Sequence, residues 1–209
     1  MKNIKCLVIV AATLALASCV LTGQKVELNP LVRSDGGDGG RSKEIVVTVV
    51  DARAAKVIGV RDPALGRLTS ITSEDNIEDN ALRAVAKGLS EEGFKVVTAP
   101  PGTTVAADAM RRLTVEIVSL GYKADLDSVP KTITCSAEVK AVAINNGHGF
   151  EHTFKVEGDR RVVLTPSEAD NESAITDILS EALTNAVTDY DLTTFMSKEL
   201  LQTKKIEAN

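Results

Sequence analysis

Aromatic and histidine side chains are scarce in this sequence. Its 209 residues include no Trp, two Tyr, four Phe and two His, and the formal net charge is −5. Nucleic-acid-binding proteins need a basic surface, and single-strand binders also need aromatic rings on which bases stack. The composition therefore argues against nucleic acid as a partner. The low aromatic content also argues against an open sugar-binding platform.

Cysteine is scarce as well, with Cys6, Cys19 and Cys135 as the only three. Cys6 lies in the N-terminal apolar segment and Cys19 at its end, so only Cys135 lies within the region expected to fold. A single cysteine cannot form an intramolecular disulfide. Stability must then come from core packing, which the 44% hydrophobic content supports. Cys135 falls on an apolar strand face and is predicted to be a small buried residue rather than a nucleophile.

The N-terminal segment carries the strongest localisation signal. Lys2 and Lys5 precede an uncharged, mostly aliphatic run that ends in Leu16-Ala17-Ser18-Cys19. This tetrapeptide resembles the lipobox of bacterial lipoproteins, in which an aliphatic residue and two small residues precede the lipidated cysteine. The resemblance implies cleavage between Ser18 and Cys19, with diacylglycerol on the Cys19 thiol and a further acyl chain such as palmitate on its α-amino group.

Two alternatives to the lipobox fit less well. A membrane-spanning helix needs about 20 apolar residues, and the polar residues 22–25 end the run too early. A plain secretory signal needs no cysteine at the cleavage site. Val20 follows the cysteine, where an aspartate would signal inner-membrane retention in enterobacterial lipoproteins. We therefore expect a lipid-anchored protein of the outer membrane that faces the periplasm.

Four regions are predicted along the chain. They are a removed signal peptide (residues 1–18), a lipid anchor with a flexible glycine-rich tether (19–43), an α+β domain (44–201) and a frayed tail (202–209). The tether assignment depends on the glycines of residues 34–40, because glycine loses the most entropy on ordering. Residues 26–30 alternate in polarity, which leaves open whether residues 26–33 dock on a sheet edge.

Hydrophobic periodicity predicts the elements of the domain. The expected order is a central strand, a helix that Ser73 caps, several strands and a long final helix with a capping box near residues 165–168. The predicted strands cover residues 45–50, 94–98, 113–126, 132–144 and 150–157, and the helices 75–92 and 174–190. This order predicts an α+β fold, with a single antiparallel-rich sheet and two helices packed on one face.

A second resemblance covers most of the mature chain. It rests on Asp51-Ala52-Arg53, Ile58-Gly59-Val60-Arg61, Gly93-Phe94-Lys95-Val96 and the helix at residues 178–195. Together these are similar to the YajG-type family of uncharacterised bacterial lipoproteins. The resemblance implies an envelope lipoprotein with a small α+β domain and no established biochemical activity.

Motifs for catalysis and for metal binding are weak. The sequence has no Gly-x-Ser-x-Gly and no His-Glu-x-x-His. Ser128-Val129-Pro130-Lys131 matches a Ser-x-x-Lys string, but this serine is predicted in a turn rather than at a helix start. His148 and His152 are too few for a zinc site, which needs three or four protein ligands. We therefore expect no enzyme, no metal and no cofactor.

The best candidate interaction loop contains Asp51, Arg53, Gly59 and Arg61. Two arginines near a strand end suit a carboxylate, a phosphate or a partner's acidic patch. The alternative is a structural ion pair, Asp51–Arg53 or Arg61–Asp62, which only stabilises the loop.

Two function classes follow from the sequence. The first is a non-catalytic interaction or accessory module of the cell envelope, which binds an envelope protein or another copy of itself. The second is a binding protein for a small envelope metabolite, either a lipid or a peptidoglycan fragment. An unpaired sheet edge or an exposed apolar patch would favour the first class, and a large apolar pocket the second.

Overall fold

The structure is a computed structural model that describes residues 23–61, 68–100, 110–127 and 129–200. The predicted signal peptide, Ser18, Cys19 and the predicted tail at 202–209 lie outside the described residues. Among the described residues, no helix is long and apolar enough to cross a membrane.

Eight strands form one sheet in the described part of the chain. They are β1 (Gln24–Val26), β2 (Glu44–Asp51), β3 (Val57–Arg61), β4 (Thr69–Ser73), β5 (Lys95–Thr98), β6 (Arg111–Asp125), β7 (Lys131–Asn145) and β8 (His148–Val162). The helices of this part are α1 (Ile77–Glu91), α2 (Glu168–Val187) and α3 (Tyr190–Ser197). The α+β class is therefore confirmed.

The sheet is mixed, and the prediction of an antiparallel-rich sheet is wrong in this detail. Four of the seven strand pairings among the described residues are parallel: β1 with β4, β2 with β5, β2 with β6, and β3 with β6. The β3–β4 pair and the long β6–β7–β8 ladders are antiparallel. The β2–β5 pair is parallel because the connection between the two strands, which contains α1, is a crossover that returns the chain in the same direction.

Strand β6 organises the sheet. Its first half pairs with β2, from Val46 opposite Arg112 to Asp51 opposite Ile117. Its second half meets β3, where Gly59 lies opposite Tyr122 on the same edge of β6. Residues 44–61 therefore follow one edge of β6 in a single direction, with an interruption at residues 52–56.

The helices cover one face of the sheet, as the alternation in β7 predicts. Side chains at every second position of β7 are buried, and those between them are partly exposed. The buried set is Ile133, Cys135, Ala137, Val139, Ala141 and Ala143. Helix α1 packs on β2 and β5, α2 packs on β7 and β8, and the two helices also contact each other. One continuous core results.

Helix boundaries differ from the predictions at their capping residues. Asn76 precedes α1 without a side-chain cap, whereas Ser73 is the last residue of β4. The capping box of α2 joins Ser167 to Asp170, so the box starts two residues after Thr165. Asp189 caps α3 as a separate short helix. The predicted reversal after β7 is a two-residue turn in which Asn146 and Gly147 have positive φ, as a hairpin turn of type I′ requires.

The described part of the predicted tether is not a free tether. Residues 24–33, which we call the strap, run between α1 and α2, and Val26, Leu28 and Val32 are buried in the core. The Asn80 side chain donates a hydrogen bond to the Leu28 carbonyl (2.8 Å). The strap docks because its apolar side chains alternate, so every second one enters the space between the helices.

The glycine run is folded as well, around the C-terminal end of α1. The Gly37 amide donates to the Glu91 carbonyl (2.9 Å), and the Gly40 amide donates to the Glu92 carbonyl (2.7 Å). Terminal helix carbonyls lack partners within the helix, so these amides satisfy them. The prediction of a flexible segment from 19 to 43 is therefore corrected over residues 23–43.

Candidate functional site

The candidate interaction loop lies at the interruption between β2 and β3. Asp51 and Arg53 form a two-pronged ion pair, with Arg53 Nε 2.7 Å from Asp51 Oδ1 and Nη2 2.8 Å from Oδ2. Lys56 Nζ donates to the same carboxylate at 2.5 Å. The side chain of Asp51 is 1% exposed and that of Arg53 is 3% exposed. This carboxylate and this guanidinium therefore neutralise each other inside the protein.

The electrostatics of Asp51 follow from these contacts. Burial by itself raises the pKa of a carboxyl group, since it disfavours the charged form. The hydrogen bonds and positive charges of Arg53 and Lys56 outweigh burial and lower the pKa of Asp51 to about 2. The group is therefore an anion at neutral pH.

Two further contacts attach this loop to its neighbours. The Asp51 amide donates to Glu78 Oε1 in α1 (2.7 Å), and Arg53 Nη2 donates to Ser73 Oγ in β4 (2.6 Å). The structural alternative, an Asp51–Arg53 pair that stabilises the loop, is the arrangement observed. Glu78 was not predicted as a partner and Ser73 was predicted to cap a helix instead, because nothing in their local pattern identifies a contact across the fold.

Gly59 lies inside β3 and not in a turn. A Cβ at Gly59 would overlap the carbonyl oxygen of Tyr122 in β6. The Tyr122 hydroxyl donates to Asn171 Oδ1 (2.7 Å), and Asn171 donates to Gln24 Oε1 (2.9 Å). Burial raises the pKa of Tyr122 to about 12. This chain of buried polar groups connects β6, α2 and β1.

Arg61 makes a contact that was not predicted. Its Nη2 lies 2.5 Å from Glu168 Oε1 at the start of α2, and the Arg61 side chain is largely buried. Asp62, the predicted partner, lies outside the described residues. The four residues of the candidate loop therefore do not form one binding surface. Asp51 pairs with Arg53, Arg61 pairs with Glu168, and Gly59 packs against the backbone of β6.

The remaining polar candidates do not assemble into a catalytic or metal centre in the described part of the chain. His152 Nδ1 lies 3.4 Å from Asp189 Oδ2, and no group of three or more potential metal ligands occurs among the described residues. Ser128 lies outside the described residues, and Lys131 Nζ donates to Thr165 Oγ1 (3.1 Å). Burial raises the pKa of the Cys135 thiol to about 11, against the opposing effect of Arg160.

A groove of about 460 Å³ lies between the strap and α2. Leu31 contributes apolar surface, while polar side chains dominate the α2 wall. Backbone amides of the strap already bond to that wall, with Leu31 N donating to Ser180 Oγ (3.0 Å) and Arg33 N donating to Thr184 Oγ1 (3.1 Å). The groove is open to solvent and is not the enclosed apolar pocket that a lipid-binding site requires.

Among the described strands, β8 presents the most extensive unpaired edge. It has 15 residues and pairs only with β7 among the described strands. On its helix-covered face, Phe154 and Val156 are only partly buried. Its other face carries exposed charged side chains, among them Lys155 and Glu157. An unpaired edge of this length offers backbone donors and acceptors to an added strand.

These features define the class: an α+β domain with a helix-covered mixed sheet, internally paired charges and a long open edge strand. The chain belongs to the family described as "Uncharacterized lipoprotein", whose model matches residues 35–197. This assignment confirms the resemblance to YajG-type lipoproteins. Membership of a lipoprotein family agrees with a membrane-anchored location in the envelope.

Other comparisons add nothing on activity. No significant match to a curated protein was found. A Xanthomonas campestris protein of family DUF330 is 15% identical, with a TM-score of 0.48, over 83% of this chain and 93% of that one. A neuraminyllactose-binding hemagglutinin homolog from Helicobacter pylori is 12% identical, with a TM-score of 0.43, over 83% and 93%. PelC from Paraburkholderia phytofirmans is 18% identical, with a TM-score of 0.36, over 74% and 89%.

Proposed function

We propose that this protein is a lipoprotein anchored through acyl chains on Cys19 in the outer membrane, facing the periplasm, where it acts as a non-catalytic interaction module. Its partner is an envelope protein or a second copy of the chain. The observation that carries this proposal is the open edge of β8, which pairs only with β7 among the described strands.

The two faces of β8 support a protein partner. A strand added to this edge would continue the backbone hydrogen bonds of the β7–β8 ladder. Phe154 and Val156 are only partly buried on the helix-covered side, so an apolar side chain of the partner would complete their burial. The charges of Lys155 and Glu157 on the other face keep the free edge soluble and discourage indiscriminate pairing.

The same observations weigh against a small-molecule binder. The groove beside the strap is polar and open, and the strap's own amides already bond to the Ser180 and Thr184 hydroxyls in its wall. A site for an acyl chain needs enclosed apolar walls. An accessory module therefore fits this geometry better than a lipid-binding protein.

Site-specific photo-crosslinking in intact cells tests the proposal. A photoreactive residue replaces Glu157 in β8, and a matched control replaces Lys87, which lies on the exposed surface of α1. We expect one discrete protein adduct from position 157 and none from position 87. Equal labelling at both positions, or recovery of a bound small molecule without a protein adduct, would contradict the interaction-module proposal.

A further inference from the structure

One end of the sheet holds the first described residue of the chain. Gln24 lies opposite Ile71 in β4, Ile71 lies opposite Gly59 in β3, and Gly59 lies opposite Tyr122 near the end of β6. Gly23 comes one step before Gln24, where an added Cβ would lie 2.8 Å from Ser70 Oγ. The chain therefore enters the fold at the end where β6 finishes, which we call the anchor end.

The β6–β7 turn and the end of β8 lie at the same end of the sheet. Asp125, the last residue of β6, pairs with Thr132, and Lys131, the first residue of β7, pairs with Val162, the last residue of β8. Strand β4 also begins there, because Thr69 lies opposite Arg61. Residues just beyond these strand ends must therefore project from the anchor end.

Exposed aliphatic side chains concentrate at this end. Leu68 precedes β4, Val129 lies in the β6–β7 turn, and Val163 and Leu164 follow β8. Their exposed fractions are 70%, 92%, 83% and 77%. We call these four residues the apolar rim. Exposed aliphatic groups gathered at one end of a soluble domain mark a contact surface.

The length of chain before Gly23 identifies what covers this surface. Cys19 lies four residues before Gly23, and four extended residues reach at most about 14 Å. The docked strap adds no slack, because β1 pairs with β4 from Gln24 onward. A lipid on Cys19 thus keeps the anchor end within about 14 Å of the bilayer.

From this geometry we propose that the apolar rim rests in the interfacial region of the same bilayer that holds the acyl chains of Cys19, which fixes the orientation of the domain. This inference rests on the lipidation of Cys19 under the proposed function. The body stands with its β6–β7 turn on the membrane and its β7–β8 turn pointing away. The long axis of β8 is then roughly normal to the bilayer, with its edge open to a neighbour on the same membrane.

The charges at the anchor end identify apolar contact as the recognising chemistry. Lys123, Lys131 and Arg161 lie there together with Asp125, Asp127 and Asp159, so neither sign dominates. Attraction to anionic lipids requires an excess of basic residues. Aliphatic side chains entering the interface contribute in any lipid composition, as the burial of apolar area does for interfacial segments.

Depth-dependent fluorescence quenching tests the orientation. Full-length lipidated protein with Cys135→Ala receives a single environment-sensitive probe through Val129→Cys, or through the control Gly149→Cys beside the opposite turn, where a Cβ meets no atom within 4 Å. The protein is reconstituted into phosphatidylcholine vesicles that contain spin-labelled lipid. We expect at least about threefold stronger quenching at position 129 than at position 149.

A second variant isolates the apolar rim. Leu68→Ser, Val163→Ser and Leu164→Ser together should reduce the quenching at position 129 about threefold. Val97→Ser, at a valine that is 47% exposed in β5 away from the anchor end, should leave it unchanged. Anionic lipid at low salt should leave the quenching at position 129 unchanged in the protein with an intact apolar rim. Quenching that appears only with anionic lipid would contradict apolar contact.

The outcomes separate the two proposals. Vesicle-bound protein with equal quenching at positions 129 and 149 overturns the orientation but leaves the lipid anchor standing. Protein that fails to float with the vesicles contradicts the anchor itself, and the orientation with it.

Discussion

The side chain of Val32 occupies the space that a Cβ on Gly88 would need. Val32 belongs to the strap and Gly88 to the last turn of α1, so this contact holds the segment that leads from the anchor against the helix. Val187 of α2 closes the site from the other side, with its Cγ1 3.1 Å from the same position. The strap is thus an internal part of the core rather than a flexible leader.

Gly88→Ala should destabilise the fold in spite of the higher helix propensity of alanine. Overpacking against Val32 costs about 1–3 kcal/mol, and the gain in helix propensity returns at most about 1 kcal/mol. Urea unfolding of the purified protein measures the difference. Adding Val32→Ala should make room for the new methyl group, so the double-mutant cycle should show favourable coupling. Simple additivity of the two changes would contradict this packing.

Gly59→Ala should lower the free energy of unfolding more than Gly88→Ala does. The group it meets is the backbone carbonyl of Tyr122 in β6, and backbone in a central strand cannot move aside as a side chain can. We expect a loss of about 3 kcal/mol in the free energy of unfolding. Gly149→Ala is the control, because a Cβ there meets no atom within 4 Å, and it should change stability by less than about 0.5 kcal/mol. Equal effects at both positions would refute the β3–β6 approach.

Asp51 should make the fold sensitive to acid. Its pKa is lowered to about 2 in the folded protein, against about 3.9 in an unfolded chain. The stabilisation is therefore fully present above about pH 4 and is lost as the pH falls from about 4 to about 2.

Asp51→Asn provides the test of this pH dependence. The variant leaves the Arg53 guanidinium buried without its counter-ion, which should cost about 3 kcal/mol at pH 7. The difference from wild type should shrink as the pH approaches 2. Asp35→Asn, at an exposed carboxyl group, is the matched control and should follow wild type throughout. A constant difference between wild type and Asp51→Asn from pH 7 to pH 2 would show that the ion pair does not titrate as described.

The Cys135 thiol should be unreactive in the folded protein. Burial raises its pKa to about 11, and only the thiolate is an effective nucleophile. Alkylation by iodoacetamide at pH 8 should be slow in native protein and fast in urea. A cysteine introduced by Gly149→Cys on the exposed turn side of β8 provides the comparison. Similar rates of alkylation at positions 135 and 149 in the folded protein would contradict burial of Cys135.

The long elements could be predicted because their patterns are local. Alternation through Ile133, Cys135 and Ala137 identifies both the strand and the face that α2 covers. The same holds for the helical stripe that contains Ile175, Leu179 and Leu183. In each case the sequence period matches the period of the element.

The pairing of the sheet and the docking of the strap could not be predicted in the same way. Whether β2 meets β5 and β6 in parallel depends on contacts between distant segments. Strands β1 and β4 are too short, at three and five residues, to produce a clear period. The glycines at 36–40 indicate a linker by composition, but their amides bind the carbonyl end of α1. Glu168, the partner of Arg61, is 107 residues away and carries no signal of that contact.

Lipidation of Cys19 determines both the location and the orientation proposed here, and intact mass spectrometry of the N-terminal peptide from native membranes tests it directly. We expect a peptide that begins at Cys19 and carries diacylglycerol on sulfur together with an acyl chain on the α-amino group. Cys19→Ser should leave an uncleaved precursor without lipid. A native peptide that begins at another residue, or that carries no lipid, would contradict both the anchor and the orientation derived from it.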